Sequence, residues 1–379
     1  MSNQFMVESG SAGSAGDHLL TACVFLLTGL GLVTLYSSSY AYGERFFGDG
    51  LHFFSRQILL GALGIVLFFL ASRIDLDVLR KVMLPLVLGT GLLCVLTFIP
   101  GIGITRNGAA RWIRVGSQTY QPSELVKVVL PLYLAHLFGK KEAEERLDSL
   151  SSGILPPALI TAIFFLLIYL QNNFSTAVFI AVNALAVFYL AGVKLRYFFG
   201  AAVILFPLSS LLILTKEHRL LRLISFLRPD WDPLGAGYQV RSSVLTIASG
   251  GFLGKGLGHG TRKIASVPEI HSDFIFSSYA EESGLLGVFL FFLIFIVFSV
   301  QGYRAALGAQ DMFRRLLACS LVTMICSQAL LNVAVVCGVL PATGIPLPFF
   351  SAGGSSLAST LMTAGLIVNV SRKREVSHV

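Results

Sequence analysis

The chain has 379 residues, of which 55% are hydrophobic and only 13% charged, about half the charged fraction of an ordinary soluble domain. A mean hydropathy of +0.77 excludes both a soluble globular protein and a disordered chain, and leaves a polytopic membrane protein. The formal net charge of +8 sits in short loops between apolar runs, where it reads as a topology signal and not as a nucleic-acid surface.

Hydrophobic runs fall at 18–39, 57–72, 82–99, 124–138, 153–170, 175–193, 197–215, 284–300, 316–338 and 352–370. They predict an all-α integral membrane protein with about ten transmembrane helices. The fourth run is the weakest, because Glu124, Lys127, Pro131 and His136 interrupt it. The two tails, and the loops that alternate to their side, carry 14 Lys+Arg. The short loops of the other side carry 5. Segment 216–283 is too long to control orientation and is left out of that comparison. Both termini are thus expected in the cytoplasm, with 216–283 as a large extracytoplasmic loop between helices 7 and 8. Residues 1–17 read as a flexible cytoplasmic tail without the basic start of a signal peptide, 18–370 as one membrane domain and 371–379 as a basic cytoplasmic tail. The run Lys140–Arg146 reads as a short solvated helix.

All five cysteines lie inside apolar runs and read as packing residues. No metal-binding motif is visible, so no cofactor is expected, although a divalent cation stays compatible with the chain. No internal repeat is evident, which argues against an inverted-repeat transporter.

Four polar segments depart from membrane filler, where charge is costly and points to function. In the first, Asn107–Ile113 with Arg111 precedes Gln121-Pro122-Ser123-Glu124, and Lys127 follows. Glu124 and Lys127 share a helix face. They form either a structural ion pair or a lysine poised for an anionic ligand and held by Glu124. The second is Gln171-Asn172-Asn173-Phe174-Ser175, a turn whose following helix can present backbone N–H groups. The third lies in the long loop, where Arg219, Arg222 and Arg228 precede Asp230–Gln239 and then the glycine run Gly250–Gly260 around Lys255. That run fails both nucleotide-loop patterns. It is either a flexible turn or a place of close backbone approach to a head group, with Lys255, Arg262 and Lys263 as cations. The fourth is Pro268–Phe276, followed by Glu281 and Glu282, which suit the first turn of the next helix. Asp273 is followed by apolar aromatics. A partly dry carboxylate gains basicity and suits a general base.

In register, these segments and the final Leu340-Pro341-Ala342-Thr343-Gly344-Ile345-Pro346-Leu347-Pro348-Phe349-Phe350-Ser351 resemble the SEDS family (FtsW, RodA and SpoVE) over residues 18–370. The resemblance implies a ten-span peptidoglycan glycosyltransferase that polymerises lipid II at the outer face of the bacterial cytoplasmic membrane. It also implies a class B penicillin-binding protein as transpeptidase partner. Tyr36–Ser39 and Phe53–Gln57 look more like the division branch than the elongation branch, which implies septal synthesis alongside other division proteins. Asn173 stands where the family has an aspartate and can only supply neutral hydrogen bonds. An inverting displacement needs a base for the acceptor hydroxyl and cations for the departing diphosphate. Asp273 is the expected base. Lys127, Arg111, Arg222, Lys255 and Lys263 are the expected cations, with Glu124 orienting Lys127. The rival classes are an elongation-type polymerase, a lipid II flippase and a non-catalytic division scaffold.

Overall fold

The structure is a computed structural model that describes residues 12–106, 108–116, 118–143, 149–228, 236–260 and 270–372. Its helices are α1 (Ala12–Phe47), α2 (His52–Ala71), α3 (Leu76–Lys81), α4 (Met83–Leu96), α5 (Pro122–Ala143), α6 (Leu155–Leu170) and α7 (Phe174–Leu190). They continue with α8 (Leu195–Leu214), α9 (Glu217–Leu227), α10 (Ala236–Ser249), α11 (Ile275–Leu307), α12 (Met312–Val336) and α13 (Gly354–Arg372). Each of the ten apolar runs lies wholly or mostly within a helix. Five helical segments are long and apolar enough to cross a membrane among the described residues, and α4 and α7 are shorter apolar helices.

The bundle is built around α5 and α13, which are enclosed by other helices. α5 packs against α4, α6, α7, α12 and α13, and α13 packs on α2, α1 and α12. Ser356, Ser359, Thr360, Thr363 and Asn369 of α13 are all buried. Asn369 donates to the carbonyls of Ala71 (2.8 Å) and Ile74 (2.7 Å), which the end of α2 leaves open. A polar helix is stable here because its neighbours are protein and not lipid. The same holds for Glu124 and Lys127 of α5. The expected solvated helix at Lys140–Arg146 is partly the end of α5, which runs to Ala143; residues 144–148 lie outside the described residues.

At one end of the bundle Arg314 bonds Asp77 (3.0 Å) and Asp311, and Arg80 lies over the Phe313 ring. These contacts join the loops around 73–81 and 301–315. The loops around 100–123, 171–174 and 339–351 meet at another place, with the long segment after α8.

That second region carries structure the hydrophobic pattern did not announce. An antiparallel sheet of β1 (Gly103–Arg106), β2 (Ala109–Val115) and β3 (Gln118–Tyr120) fills the expected loop 100–123. In the sequence, the dipeptide Asn107-Gly108 falls between these two strands and is a hairpin signal. Two helices, α9 and α10, occupy part of the long segment. The apolar run at 284–300 is the second half of α11, which breaks at Gly284 (φ 64°).

The break explains the glycine run. The N–H groups of Leu285 and Leu286 donate to the carbonyls of Gly251 (3.0 Å) and Phe252 (3.2 Å), so the loop caps the second half of α11. A Cβ on Gly254 would collide with the Glu282 carbonyl, and one on Gly284 with the Gly254 nitrogen. The close backbone approach seen here is to a broken helix. Glu281 and Glu282 lie ahead of this break, in the first half of α11, and both are buried.

Candidate functional site

A cavity of about 910 Å³ opens where β2, the N-terminus of α7, α9 and the segments around 273 and 343 converge. It is at the large end of small-ligand sites. Asp273, Arg111 and Arg222, three of the expected residues, all line it. Arg106, Lys216 and Arg219 join them, so five basic side chains surround one carboxylate.

Each arginine is held by its local structure. β2 carries Arg111, whose Nη2 donates to the Asn172 carbonyl. Asn172 takes a left-handed turn (φ 58°) that asparagine tolerates, and its Nδ2 returns a 2.8 Å bond to Gly108. Burial, and then the Arg222 guanidinium, push Arg111 below the ordinary arginine value, while Asp273 acts in the opposite sense. Arg111 keeps its proton and remains a poorly solvated cation, ready for an anion. Arg219 is 8% exposed, lies over the rings of Tyr169 (5.0 Å) and Phe174 (4.6 Å), and donates to the Leu212 carbonyl at 2.9 Å. Arg222 reaches the Ala342 carbonyl at 3.4 Å.

Four buried polar atoms without a hydrogen-bond partner among the described residues belong to side chains that line this cavity: Arg111 Nε, Asn173 Nδ2, Arg219 Nε and Thr343 Oγ1. Such atoms are costly in a folded protein. Four of them, from four separate segments, suit a ligand rich in oxygen atoms. Asn173 is the N-cap of α7, and Ser175 of its first turn also lines the cavity, so a helix N-terminus opens here as expected. Asp273 rests against Gly344, whose φ of 71° and missing Cβ let the loop pass its carboxylate: a Cβ there would sit 3.3 Å from Oδ2.

The other expected residues lie elsewhere. Lys127 and Glu124 are each 4% exposed and lie outside the cavity lining. Lys127 Nζ contacts both carboxylate oxygens of Glu124 (2.8 and 2.9 Å) and donates to Gln328 Oε1 (3.1 Å). It borders only a gap of about 10 Å³ beside Phe179 and Asn183, two residues that also line the cavity. Those two side chains stand between Lys127 and the cavity. Lys255 instead pairs with Glu281 at 2.6 Å, and Glu281 also accepts from Ser249. Lys263 lies outside the described residues, as do Arg262, Asp230 and Glu269. The sequence did not point to Arg106 or Thr343, and it offered Lys216 and Arg219 only as members of the basic set of the long loop, with Arg219 one of the loop arginines that could meet the diphosphate. The run of basic residues 216, 219 and 222 at helical spacing was the available signal. Among the described residues, no group of three or more His, Cys, Asp or Glu side chains could hold a metal ion.

A family model described as cell cycle protein, FtsW/RodA/SpoVE, matches residues 17–376. The chain belongs to this family. It is 38% identical over 94% of its length to a probable peptidoglycan glycosyltransferase FtsW of Geobacter sp. strain M18, covering 97% of that protein. It is 35% identical, over 94% of this chain and 97% of the other, to stage V sporulation protein E of Bacillus subtilis. It also resembles a chain solved in a study of the structural coordination of polymerization and crosslinking by a peptidoglycan synthase complex. That match has a TM-score of 0.78 at 29% identity and covers 94% of this chain and 98% of that one. The fold is thus that of a multi-pass membrane protein of this family.

Proposed function

We propose that this chain is a peptidoglycan glycosyltransferase that polymerises lipid II at the outer face of the cytoplasmic membrane. We place it in septal synthesis, with a class B penicillin-binding protein as partner. The names of its relatives support the enzyme class. The observation that carries the chemistry is the single carboxylate of Asp273 in one cavity with Arg111 and Arg222. The donor is a sugar on a prenyl diphosphate, and the acceptor is a sugar hydroxyl. In this reading Asp273 takes the hydroxyl proton as the oxygen attacks the anomeric carbon, and the diphosphate leaves with inverted stereochemistry. Arg111 and Arg222 meet the developing charge on the phosphate oxygens, for which guanidinium forks are suited. Arg219 and Lys216 extend the positive field of the same wall.

The clustering of the 100–123, 171–174 and 339–351 loops around one cavity fits the alternation of loops on which the proposed orientation is built; the excess of basic residues in the other set is what puts both termini in the cytoplasm. A translocation path draws no support from Glu124 and Lys127, which are closed on each other and on Gln328.

The deciding experiment is lipid II polymerisation by Asp273→Asn in the purified complex with its transpeptidase. The expected result is loss of glycan strands at normal expression and partner binding. Full polymerisation by this variant would falsify the role of Asp273 as base. Normal cell division by the variant would favour a scaffold.

A further inference from the structure

Two buried amides of α12, Gln328 and Asn332, lie one helical turn apart and face the segments that form the wall around Asp273. Asn332 is 1% exposed. Its Nδ2 donates at 2.8 Å to the carbonyl of Asp273 and at 2.8 Å to the carbonyl of Ile345. Both neighbours can only accept, so the amide has one workable orientation. Gln328, 3% exposed, donates from Nε2 to the Pro346 carbonyl at 2.8 Å and accepts from Lys127 at Oε1. A lysine can only donate. Lys127 therefore fixes which end of the Gln328 amide faces Pro346, and Glu124 holds Lys127 through both carboxylate oxygens.

These contacts form a continuous chain. Glu124 holds Lys127, Lys127 orients Gln328, and Gln328 fixes the loop at Pro346. Two residues earlier, Gly344 of that loop abuts the Asp273 carboxylate. Asn332 ties the same loop to the Asp273 backbone. We propose that Gln328 and Asn332 are positioning residues that set the place of Asp273 in the cavity, and that Lys127 and Glu124 serve that positioning and not the diphosphate. The inference rests on Asp273 as the base of the proposed reaction. It gives the buried ion pair a purpose, since a pair so far from solvent contributes little net stability on its own.

The test uses Gln328→Met, Asn332→Ala and Asp273→Asn in the full chain with its partner. It measures lipid II polymerisation rates and, separately, lipid II binding. Gln328→Met keeps the side-chain volume and removes both hydrogen bonds, so it guards against a simple folding failure of Asn332→Ala. Displacing a reacting group by about 1 Å costs on the order of 100-fold in rate. The expected outcome is a fall in kcat of about that size for Gln328→Met, with KM and lipid II binding unchanged. Wild-type kcat in Gln328→Met, with Asp273→Asn inactive, overturns the positioning role and leaves the base intact. A parallel loss of lipid II binding and kcat overturns it as well, because the amides would then shape the ligand site itself. Polymerisation by Asp273→Asn overturns both readings at once.

Discussion

The cavity around Asp273 and the glycine loop before α11 contain the same materials: acids, cations, glycines with positive φ and buried polar atoms. In sequence both were candidates for a ligand site. They differ in where the charges are directed. In the glycine loop Lys255 closes on Glu281 at 2.6 Å. Glu282 Oε1 accepts from Ser37 (2.6 Å) and from the Gly258 N–H (3.1 Å). The loop's own carbonyls cap a broken helix. Around Asp273, five basic side chains and one carboxylate line the cavity, and donors such as Arg111 Nε and Asn173 Nδ2 have no hydrogen-bond partner among the described residues. One region spends its polar groups on itself and the other presents them to a cavity. Pairing, more than composition, separates scaffold from site.

That contrast can be broken by substitution. The largest effect is expected at Asp273→Asn, since removing a general base costs about 100- to 10,000-fold in rate. Lys255→Ala is expected to act on stability instead. It breaks the Lys255 ion pair of a fully buried Glu281, which costs about 3 kcal/mol. Thermal unfolding should fall markedly while each folded molecule polymerises at the wild-type rate. A loss of kcat without a loss of stability would place Lys255 in the site after all. Arg222→Ala removes a charge-assisted contact worth about 1.5–3 kcal/mol, so kcat/KM for lipid II should drop by about 10- to 100-fold with unchanged unfolding. Asn173→Ala should have the smallest effect, a rise in KM of about fivefold, because one neutral hydrogen bond is worth about 1 kcal/mol. An unaltered KM would mean that Asn173 only starts α7.

The helices were largely legible because a membrane helix is written as a continuous apolar run, and each run here lies in or overlaps one. Asp273, Arg111 and Arg222 were legible as polar departures from that background. What escaped was the three-dimensional neighbourhood. Arg106 and Lys216 are 110 residues apart in sequence, and no local pattern says that β1 and the start of α9 meet over one cavity. Lys127 was read as a ligand because a lysine within a span is conspicuous. It is buried among helices distant in sequence, and its hydrogen-bond partner Gln328 lies 201 residues later, which hydrophobic periodicity cannot show. The sheet was missed for another reason: strands of three to seven residues with mixed polarity look like loop, and only the Asn107-Gly108 dipeptide marked a turn.

The enclosure of α5 also bears on how the chain enters the membrane. A lone acid or base costs about 2.5–3.5 kcal/mol at the centre of a membrane helix and less toward its end, where Glu124 and Lys127 lie in the first two turns of α5. Mutual neutralisation one turn apart lowers that cost but does not remove it. Gln328, the remaining partner of Lys127, belongs to α12, and during synthesis it emerges some two hundred residues after the lysine. α5 must therefore wait in the bilayer with its pair incompletely sheltered. Its final burial is a late event of assembly, in which the same contact that shelters the lysine completes the wall beside Asp273.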